Sequence, residues 1–249
     1  MKRVVVTGAA GFIGSNLVEA LVAREIETVC PVRSPEAARL VVDLGGRPVE
    51  GDLLDPGPWT MTLAGADVVF HLAGLVRAHR PEDYYRHNVQ ATARVLDAMD
   101  RHGPTDQRLI LLSSLAAAGP CRTPPGKNEA DEPKPVSHYG RSKLEAERAV
   151  MRHSPRGTTA IVRPPAVYGP RDLAFLPLFQ SIRFGIRPVF AGRELPMSLI
   201  YVKDLVHALL ERGGDADRQG IFHVCGGFNH ICLSIGTTMA WQIHLRPLS

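Results

Sequence analysis

Tyr139 and Lys143 have the residue types and the spacing of an acid–base pair. They lie four residues apart in a segment predicted to be helical, so both side chains project from one helix face. A tyrosine hydroxyl has a pKa of about 10, but a neighbouring ammonium group stabilises the phenolate and lowers that pKa towards neutrality. Ser114 follows a predicted strand, at the edge where open α/β sheets bind ligands, so its hydroxyl would hold a substrate oxygen. Alone, the Tyr-x-x-x-Lys spacing also occurs in ordinary amphipathic helices.

A glycine-rich turn near the N-terminus is the second chemical signal. Gly8, Gly11 and Gly14 leave the first predicted strand and enter the first predicted helix. Gly8 permits the tight turn, Gly11 lets backbone approach a pyrophosphate, and Gly14 allows close packing of helix on strand. The amino end of the helix offers N–H groups and partial positive charge to an anion. This context predicts a dinucleotide site, with a simple tight turn as the alternative.

Arg33 stands where a dinucleotide-binding chain contacts the adenosine ribose, at the end of the second predicted strand. An acidic residue there would accept from the 2′-hydroxyl of NAD, whereas a guanidinium suits a 2′-phosphate. We therefore predict NADP as the preferred cofactor and NAD as the alternative, in which Arg33 only stacks on adenine. Asp52 ends the third predicted strand, and its carboxylate could accept from the adenine amino group.

Strand-like and helix-like segments that alternate along the chain would position these residues. Such alternation predicts an α/β fold, a Rossmann-like doubly wound parallel sheet. The predicted strands cover residues 3–7, 27–32, 48–51, 67–71, 108–113 and 159–163, and the longest predicted helices cover 81–102 and 137–153. We assign residues 1–165 to a nucleotide-binding domain whose sheet is completed by about 198–226. Residues 166–197 and 227–249 are assigned to a small, incomplete C-terminal substrate lobe.

The composition argues against other classes of protein. The 249 residues carry a formal net charge of +4, and the arginines are spread along the chain, so we predict no nucleic-acid binding. The longest apolar runs are too short and too interrupted for a membrane span. The cysteines lack the spacing of metal ligands or of a disulfide framework, which favours a reducing, cytoplasmic location. No metal site is predicted, and we interpret four histidines as loop and helix-face residues: His71, His79, His87 and His102.

The motifs together resemble the extended short-chain dehydrogenases/reductases of the NAD-dependent epimerase/dehydratase family. Their order and spacing agree with that family over roughly residues 3 to 226. The matching segments are Thr7–Gly14 (TGAAGFIG), Gly51–Leu53, His71–Gly74 (HLAG), His87–Val89, Ser113–Leu115, Tyr139 with Lys143, Arg163–Pro170 (RPPAVYGP) and Ile200–Leu205.

This resemblance implies roles for particular residues. Ser114, Tyr139 and Lys143 would be catalytic, and Asn88 would hold the backbone around them. Arg171 and the residues after it would shape the substrate pocket. The cofactor would be contacted by Gly8, Gly11, Phe12, Ile13, Gly14, Arg33, Asp52, Leu53, Leu72, Ala73, Gly74, Tyr139, Lys143, Pro164 and Val167. The resemblance also implies a homodimer that packs the helices of Asn88 and Tyr139 against their copies.

The residues next to Ser114 restrict the reaction. Dehydratases of this family carry carboxylates there, whereas this chain has Leu115 and Ala116, which disfavours sugar-nucleotide dehydration. Epimerisation and alcohol/ketone redox chemistry stay open, on a small carbinol or ketone such as a nucleotide sugar. The alternative is a non-catalytic NAD(P)-binding sensor or assembly subunit. It is favoured by the tail from Phe228 to Ser249, whose composition departs from the family and suggests truncation or an altered reading frame.

Overall fold

The computed structural model describes residues 1–121, 126–153, 158–184, 195–215, 219–225 and 230–233. Within them lies a seven-stranded parallel sheet of the order β3-β2-β1-β4-β5-β6-β9. Its strands are Arg3–Thr7 (β1), Glu27–Val32 (β2), Arg47–Glu50 (β3), Val68–His71 (β4), Arg108–Leu112 (β5), Thr159–Arg163 (β6) and Gly220–His223 (β9). The strand order reverses between β1 and β4, where doubly wound sheets bind nucleotides. The predicted Rossmann-like fold is confirmed.

Helices cover both faces of this sheet. They are Phe12–Val22 (α1), Pro35–Asp43 (α2), Pro81–Tyr84 (α3), Ala91–His102 (α4), Leu115–Ala118 (α5), His138–Arg152 (α6), Leu176–Arg183 (α7) and Val202–Gly214 (α8). A 3₁₀ turn runs over Pro58–Leu63, and a π-helical segment over Tyr85–Gln90 connects α3 to α4. The single helix predicted for 81–102 therefore contains a π-helical segment, a feature that often marks functional sites.

Two apolar cores sandwich the sheet because side chains alternate along each strand. Val4 and Val6 of β1 point to the core under α1 and α8, where Leu17 and Leu209 are fully buried. Val5, between them, points to the opposite core under α4. Both faces of the strands are therefore buried, which explains why they read as continuous apolar runs.

The segment 198–226 was expected to complete the main sheet, and only part of it does. β9 pairs with β6, but Leu195–Tyr201 (β8) lies in a separate three-stranded sheet with Ala166–Tyr168 (β7) and His230–Leu233 (β10). The assignment of 198–202 to the main sheet is thus wrong. Pro164 and Pro165 follow β6 and have no N–H for the ladder, so the chain leaves the main sheet there. About half of the predicted substrate lobe, 185–194, 227–229 and 234–249, lies outside the described residues.

The helices can also be compared with the length that a bilayer requires. In the part of the chain that the structure describes, no helix is long and apolar enough to cross a membrane.

Candidate active site

The glycine turn between β1 and α1 forms a cradle that larger residues would fill. Gly8 has a φ of +71°, and a Cβ there would lie 2.7 Å from the Ala73 nitrogen. A Cβ on Gly14 would overlap the carbonyl oxygen of Gly8. Gly11 precedes α1, and among the described residues no side chain caps this helix start. The N–H groups of the first turn, which includes Phe12 and Ile13, therefore suit a pyrophosphate.

Arg33 and Asp52 lie together at the carboxyl ends of β2 and β3. Arg33 Nη1 is 3.9 Å from Asp52 Oδ2, and the Arg33 side chain is 64% exposed. The other Asp52 oxygen accepts from the Leu54 nitrogen at 3.0 Å. Leu53 packs against the core under α4. The structure thus presents an exposed cation at the place predicted for the adenosine ribose, with a carboxylate near it.

Ser114 and Tyr139 meet at the carboxyl edge of the sheet. Ser114 caps α5, where its Oγ accepts from the Ala116 nitrogen at 3.1 Å. Its side chain lies beside that of Tyr139. Tyr139 begins α6, a helix capped by Ser137, whose Oγ accepts from the Gly140 nitrogen at 3.0 Å. The two caps thus fix the pair that the sequence predicted.

The pKa of Tyr139 moves in the opposite direction to the prediction. Burial raises it, the hydrogen bond from Ser114 lowers it, and the nearby Tyr84, whose ring centroid is 6.1 Å away, raises it further. Lys143 was expected to lower this pKa, but its Nζ donates to the Leu112 carbonyl at 2.6 Å. In the protein alone the expected lowering is therefore wrong, because the ammonium group is turned to backbone.

Lys143 is buried, with 5% of its surface exposed. Burial lowers its pKa to about 8, partly offset by the attraction of Glu147, which raises it. A Cβ on Gly74 would come within 3.6 Å of Lys143 Nζ. Gly74 therefore lies close to Lys143 of α6, whereas Leu72 and Ala73 lie against Gly8 of the glycine turn.

Asn88 clamps the chain that follows β4. Its Oδ1 accepts from the Leu75 nitrogen at 2.7 Å, and its Nδ2 donates to the Leu75 oxygen at 3.1 Å. Nδ2 also donates to Ser142 Oγ at 2.8 Å, and Ser142 Oγ donates to the Tyr139 carbonyl at 2.8 Å. Asn88 therefore joins the backbone beside the site to the helix that carries Tyr139.

The other predicted residues lie at the edges of this site. Pro164 accepts from the Leu115 nitrogen at 2.9 Å, which ties the end of β6 to α5. Val167 is half-buried against the core under α1. Arg171, expected to shape the substrate pocket, pairs with Glu19 of α1 through its Nη2. The residues predicted to be catalytic thus lie near the ends of β4 and β5, and those predicted to contact adenosine lie at the ends of β2 and β3.

Several buried polar residues of this region were not identified from the sequence. Glu147 lies one helical turn after Lys143, a spacing that placed it on the same face. It accepts from Ser113 Oγ and from Arg163. His71, interpreted as a loop or helix-face residue, is instead fully buried at the end of β4. That interpretation is wrong because the buried strand ends on His71 itself.

Among the described residues, no group of three or more histidines, cysteines or carboxylates could hold a metal ion.

Comparison with known proteins connects this site to reductases and epimerases. The model of the NAD dependent epimerase/dehydratase family matches residues 4–224. A 4-hydroxy-2-methyl-3-oxo-4-farnesyl-3,4-dihydroquinoline-1-oxide ketoreductase of Stigmatella aurantiaca is 37% identical over 220 residues, which are 85% of this chain and 65% of the relative. Ceramide reductase of Caulobacter vibrioides is 34% identical over 208 residues, 83% of this chain and 59% of the relative. The chain thus spans less than two thirds of the length of these curated relatives.

Two solved structures have a similar fold. The structure of MoeE5 in complex with UDP-glucuronic acid and NAD superposes with a TM-score of 0.78 at 30% identity, covering 90% of this chain and 77% of MoeE5. A UDP-N-acetylglucosamine 4-epimerase from Methanobrevibacter ruminantium M1 gives a TM-score of 0.78 at 25% identity, covering 90% of this chain and 76% of the epimerase.

Proposed function

This chain belongs to the NAD-dependent epimerase/dehydratase family, and we propose that it is an NAD(P)-dependent oxidoreductase acting on a carbinol or ketone. The observation that carries the proposal is the position of Ser114 beside Tyr139, with Lys143 buried one helical turn further along α6. A phenol and a hydroxyl held together at a sheet edge can bind one substrate oxygen between them. The cradle of Gly8, Gly11 and Gly14 would hold the pyrophosphate of the cofactor.

The proposed chemistry assigns one task to each side chain. Ser114 orients the substrate oxygen, and Tyr139 Oη gives a proton to that oxygen or takes one from it. Lys143, protonated below a pH of about 8, would bind the cofactor ribose. The nicotinamide, when bound, supplies or accepts the hydride. Asn88 holds the Leu75 backbone and the start of α6 in place.

The lobe beyond β6 favours a substrate with an apolar skeleton. Tyr168 packs against Phe179 and Tyr201, with ring centroids 6.4 and 5.5 Å apart, and Phe175 lies 6.4 Å from Phe179. Leu173 and Phe184 beside them are 80% and 78% exposed. The relatives include a ketoreductase that acts on a farnesyl-bearing dihydroquinoline-1-oxide and a ceramide reductase.

The second candidate is epimerisation of a nucleotide sugar. It is supported by the MoeE5 structure, which was solved with UDP-glucuronic acid. A diphosphate needs cationic or amide donors, and Arg171 of the described lobe is already paired with Glu19. A non-catalytic NAD(P)-binding role is the remaining alternative.

For the cofactor we propose NADP, because the exposed guanidinium of Arg33 could pair with a 2′-phosphate. The NAD bound in MoeE5 supports the competing assignment. The division into nucleotide-binding domain and substrate lobe, the homodimer and the cytoplasmic location remain our predictions. Sedimentation of the purified protein tests the homodimer directly.

The testing experiment has two stages. Purified protein is first titrated with NADPH and NADH, followed by fluorescence and calorimetry. NADPH is then supplied with a long-chain aliphatic ketone or a polycyclic ketone, and NAD with UDP-glucose, in parallel with Tyr139→Phe. Ketone reduction that the variant lacks supports the oxidoreductase, whereas interconversion of sugar epimers supports the second candidate. Tight binding without turnover would favour the non-catalytic role, and no binding would overturn the proposal.

A further inference from the structure

His71 is buried between two threonines that come from different parts of the fold. The register of the sheet pairs Thr7 of β1 with His71 of β4. Thr7 Oγ1 lies 2.7 Å from His71 Nδ1, and Thr92 Oγ1 of α4 lies 3.0 Å from His71 Nε2. Both imidazole nitrogens are therefore used, and the ring connects the strand that leads into the glycine turn to the helix behind Asn88.

The partners of these threonines decide where the protons lie. Thr92 Oγ1 donates its single hydrogen to the Asn88 carbonyl at 2.6 Å, so it must accept from His71 Nε2–H. A neutral His71 then has a bare Nδ1, which accepts from the Thr7 hydroxyl. Thr7 Oγ1 in turn accepts from the Ala73 nitrogen at 3.2 Å. Each hydroxyl accepts one hydrogen bond and donates one.

The same directional chain continues beyond Asn88. Its Nδ2 donates to Ser142 Oγ, and Ser142 Oγ donates to the carbonyl of Tyr139. A connected set of hydrogen bonds thus runs from the Ala73 N–H, in the segment that would line the cofactor, to the backbone of Tyr139. His71 is the member that spans the gap between the sheet and the helix layer.

We propose that His71 is a positioning residue for the reaction, a neutral imidazole with its proton on Nε2. In this form it fixes the distance between the segment that contains Ala73 and the helices that carry Asn88 and Tyr139. The inference rests on the proposed function and extends it to residues that touch neither substrate nor cofactor. A protonated ring would need an acceptor at Nδ1 and would leave the Thr7 hydroxyl hydrogen without one. Burial and the nearby Lys143 act in the same direction, lowering the pKa of His71 to about 3.

The tautomer of His71 can be measured by NMR, without an assay of enzyme activity. Nitrogen-15 NMR of histidine-labelled protein is expected to show one ring with its proton on Nε2, unchanged between pH 5 and 8. In Thr92→Val the Nε2–H loses its acceptor while Thr7 still donates to Nδ1, so the proton should stay on Nε2 but its nitrogen and proton shifts should change. Thr92→Ser should keep the wild-type shifts. A protonated ring near pH 6, or Nε2–H shifts that are unchanged in Thr92→Val, would overturn the proposal.

Kinetics separate positioning from a general loss of stability. Thr62→Val is the matched control, because Thr62 is also buried and donates to a backbone carbonyl, that of Trp59, at 2.5 Å. For Thr92→Val we expect kcat to fall about tenfold with little change in the KM of the ketone, and Thr92→Ser to restore it. Equal kcat losses in Thr92→Val and Thr62→Val would overturn the inference. If no substrate is turned over, the proposed function fails, while the NMR result still decides the role of His71.

Discussion

Glu147 and Arg163 form a two-point ion pair inside the protein, one helical turn beyond Lys143. Arg163 Nε donates to Glu147 Oε1 at 2.9 Å, and Nη2 donates to Oε2 at 2.5 Å. Both side chains are at most 2% exposed. Ser113 adds a hydrogen bond to the same carboxylate, and His223 lies 3.3 Å from Arg163 Nη1 because β6 and β9 pair these two positions. The helix that carries Tyr139 and Lys143 is thereby fastened to the sheet.

Glu147→Gln is expected to lower the free energy of unfolding by about 3–5 kcal/mol. The substitution leaves the Arg163 guanidinium buried without its counter-charge, which costs more than an exposed ion pair is worth. Denaturant unfolding measures the loss. Glu145→Gln is the matched control, because Glu145 lies on the same helix but is exposed. A loss below about 1 kcal/mol in Glu147→Gln would show that the pair contributes little to stability.

Tyr139→Phe should reduce kcat at least about 100-fold, because the variant has no hydroxyl for proton transfer. The Kd for NADPH should stay within about twofold, since the cofactor would be held mainly by the glycine turn. Ser114→Ala should reduce kcat less, because it removes only the group that orients the oxygen. Tyr85→Phe is the control. It removes a nearby phenol hydroxyl from a ring that packs on His138. An active Tyr139→Phe enzyme would exclude the proposed mechanism.

Lys143 should make stability depend on pH in the alkaline range. Its pKa is about 8 in the folded protein and 10.5 in the reference state, so between these values the unfolded chain binds more protons. The free energy of unfolding then rises with pH, by up to about 3 kcal/mol from pH 8 to 10.5. Below pH 8 Lys143 does not contribute to the pH dependence of the free energy of unfolding. Denaturant unfolding of wild type and Lys143→Met across this range measures the difference, and identical slopes would contradict the assigned pKa.

The main sheet could be predicted from the sequence because its strands are buried on both faces. Val4, Val5 and Val6 read as a continuous β-branched run bounded by glycine, and that signal does not depend on distant residues. The spacing of Tyr139 and Lys143 similarly needs only the geometry of one helix.

The remaining features depend on contacts between distant segments. The role of His71 follows from its register opposite Thr7, and that of Arg163 from its register opposite His223. The π-helical segment over Tyr85–Gln90 is only six residues long. The spacing of apolar residues over such a short segment does not distinguish a π-helix from an α-helix. The direction of the Lys143 ammonium group depends on the Leu112 carbonyl, which no local pattern predicts.

Gly14→Ala should weaken NADPH binding at least about tenfold. A Cβ at this position overlaps the Gly8 carbonyl, so α1 must move away from the turn and the first-turn N–H groups shift with it. The same displacement should cost about 1–3 kcal/mol of stability. Gly214→Ala is the control, since a Cβ there meets nothing within 4 Å. Calorimetric titration gives the Kd, and an unchanged value in Gly14→Ala would exclude this turn as the pyrophosphate site.

Arg33→Ser tests the cofactor assignment. If the guanidinium binds a 2′-phosphate, removing it should weaken NADPH binding roughly 10- to 100-fold, because hydrogen bonds between charged groups contribute about 1.5–3 kcal/mol. NADH binding should change less than about twofold, since it lacks that phosphate. Titrations with both cofactors at one ionic strength measure the ratio.

The neighbouring carboxylate sharpens this test. Asp52 lies 3.9 Å from Arg33 and would repel a 2′-phosphate, so Asp52→Asn should shift the preference further towards NADPH. Arg47→Ser is the control, because Arg47 is an exposed arginine whose ion pair is with Glu27 instead. Equal losses of NADPH and NADH in Arg33→Ser would mean that Arg33 stacks on adenine, and the cofactor would then be NAD. The two cofactors thus separate a charge interaction at the ribose from a stacking interaction at the base, because only NADPH carries the extra phosphate.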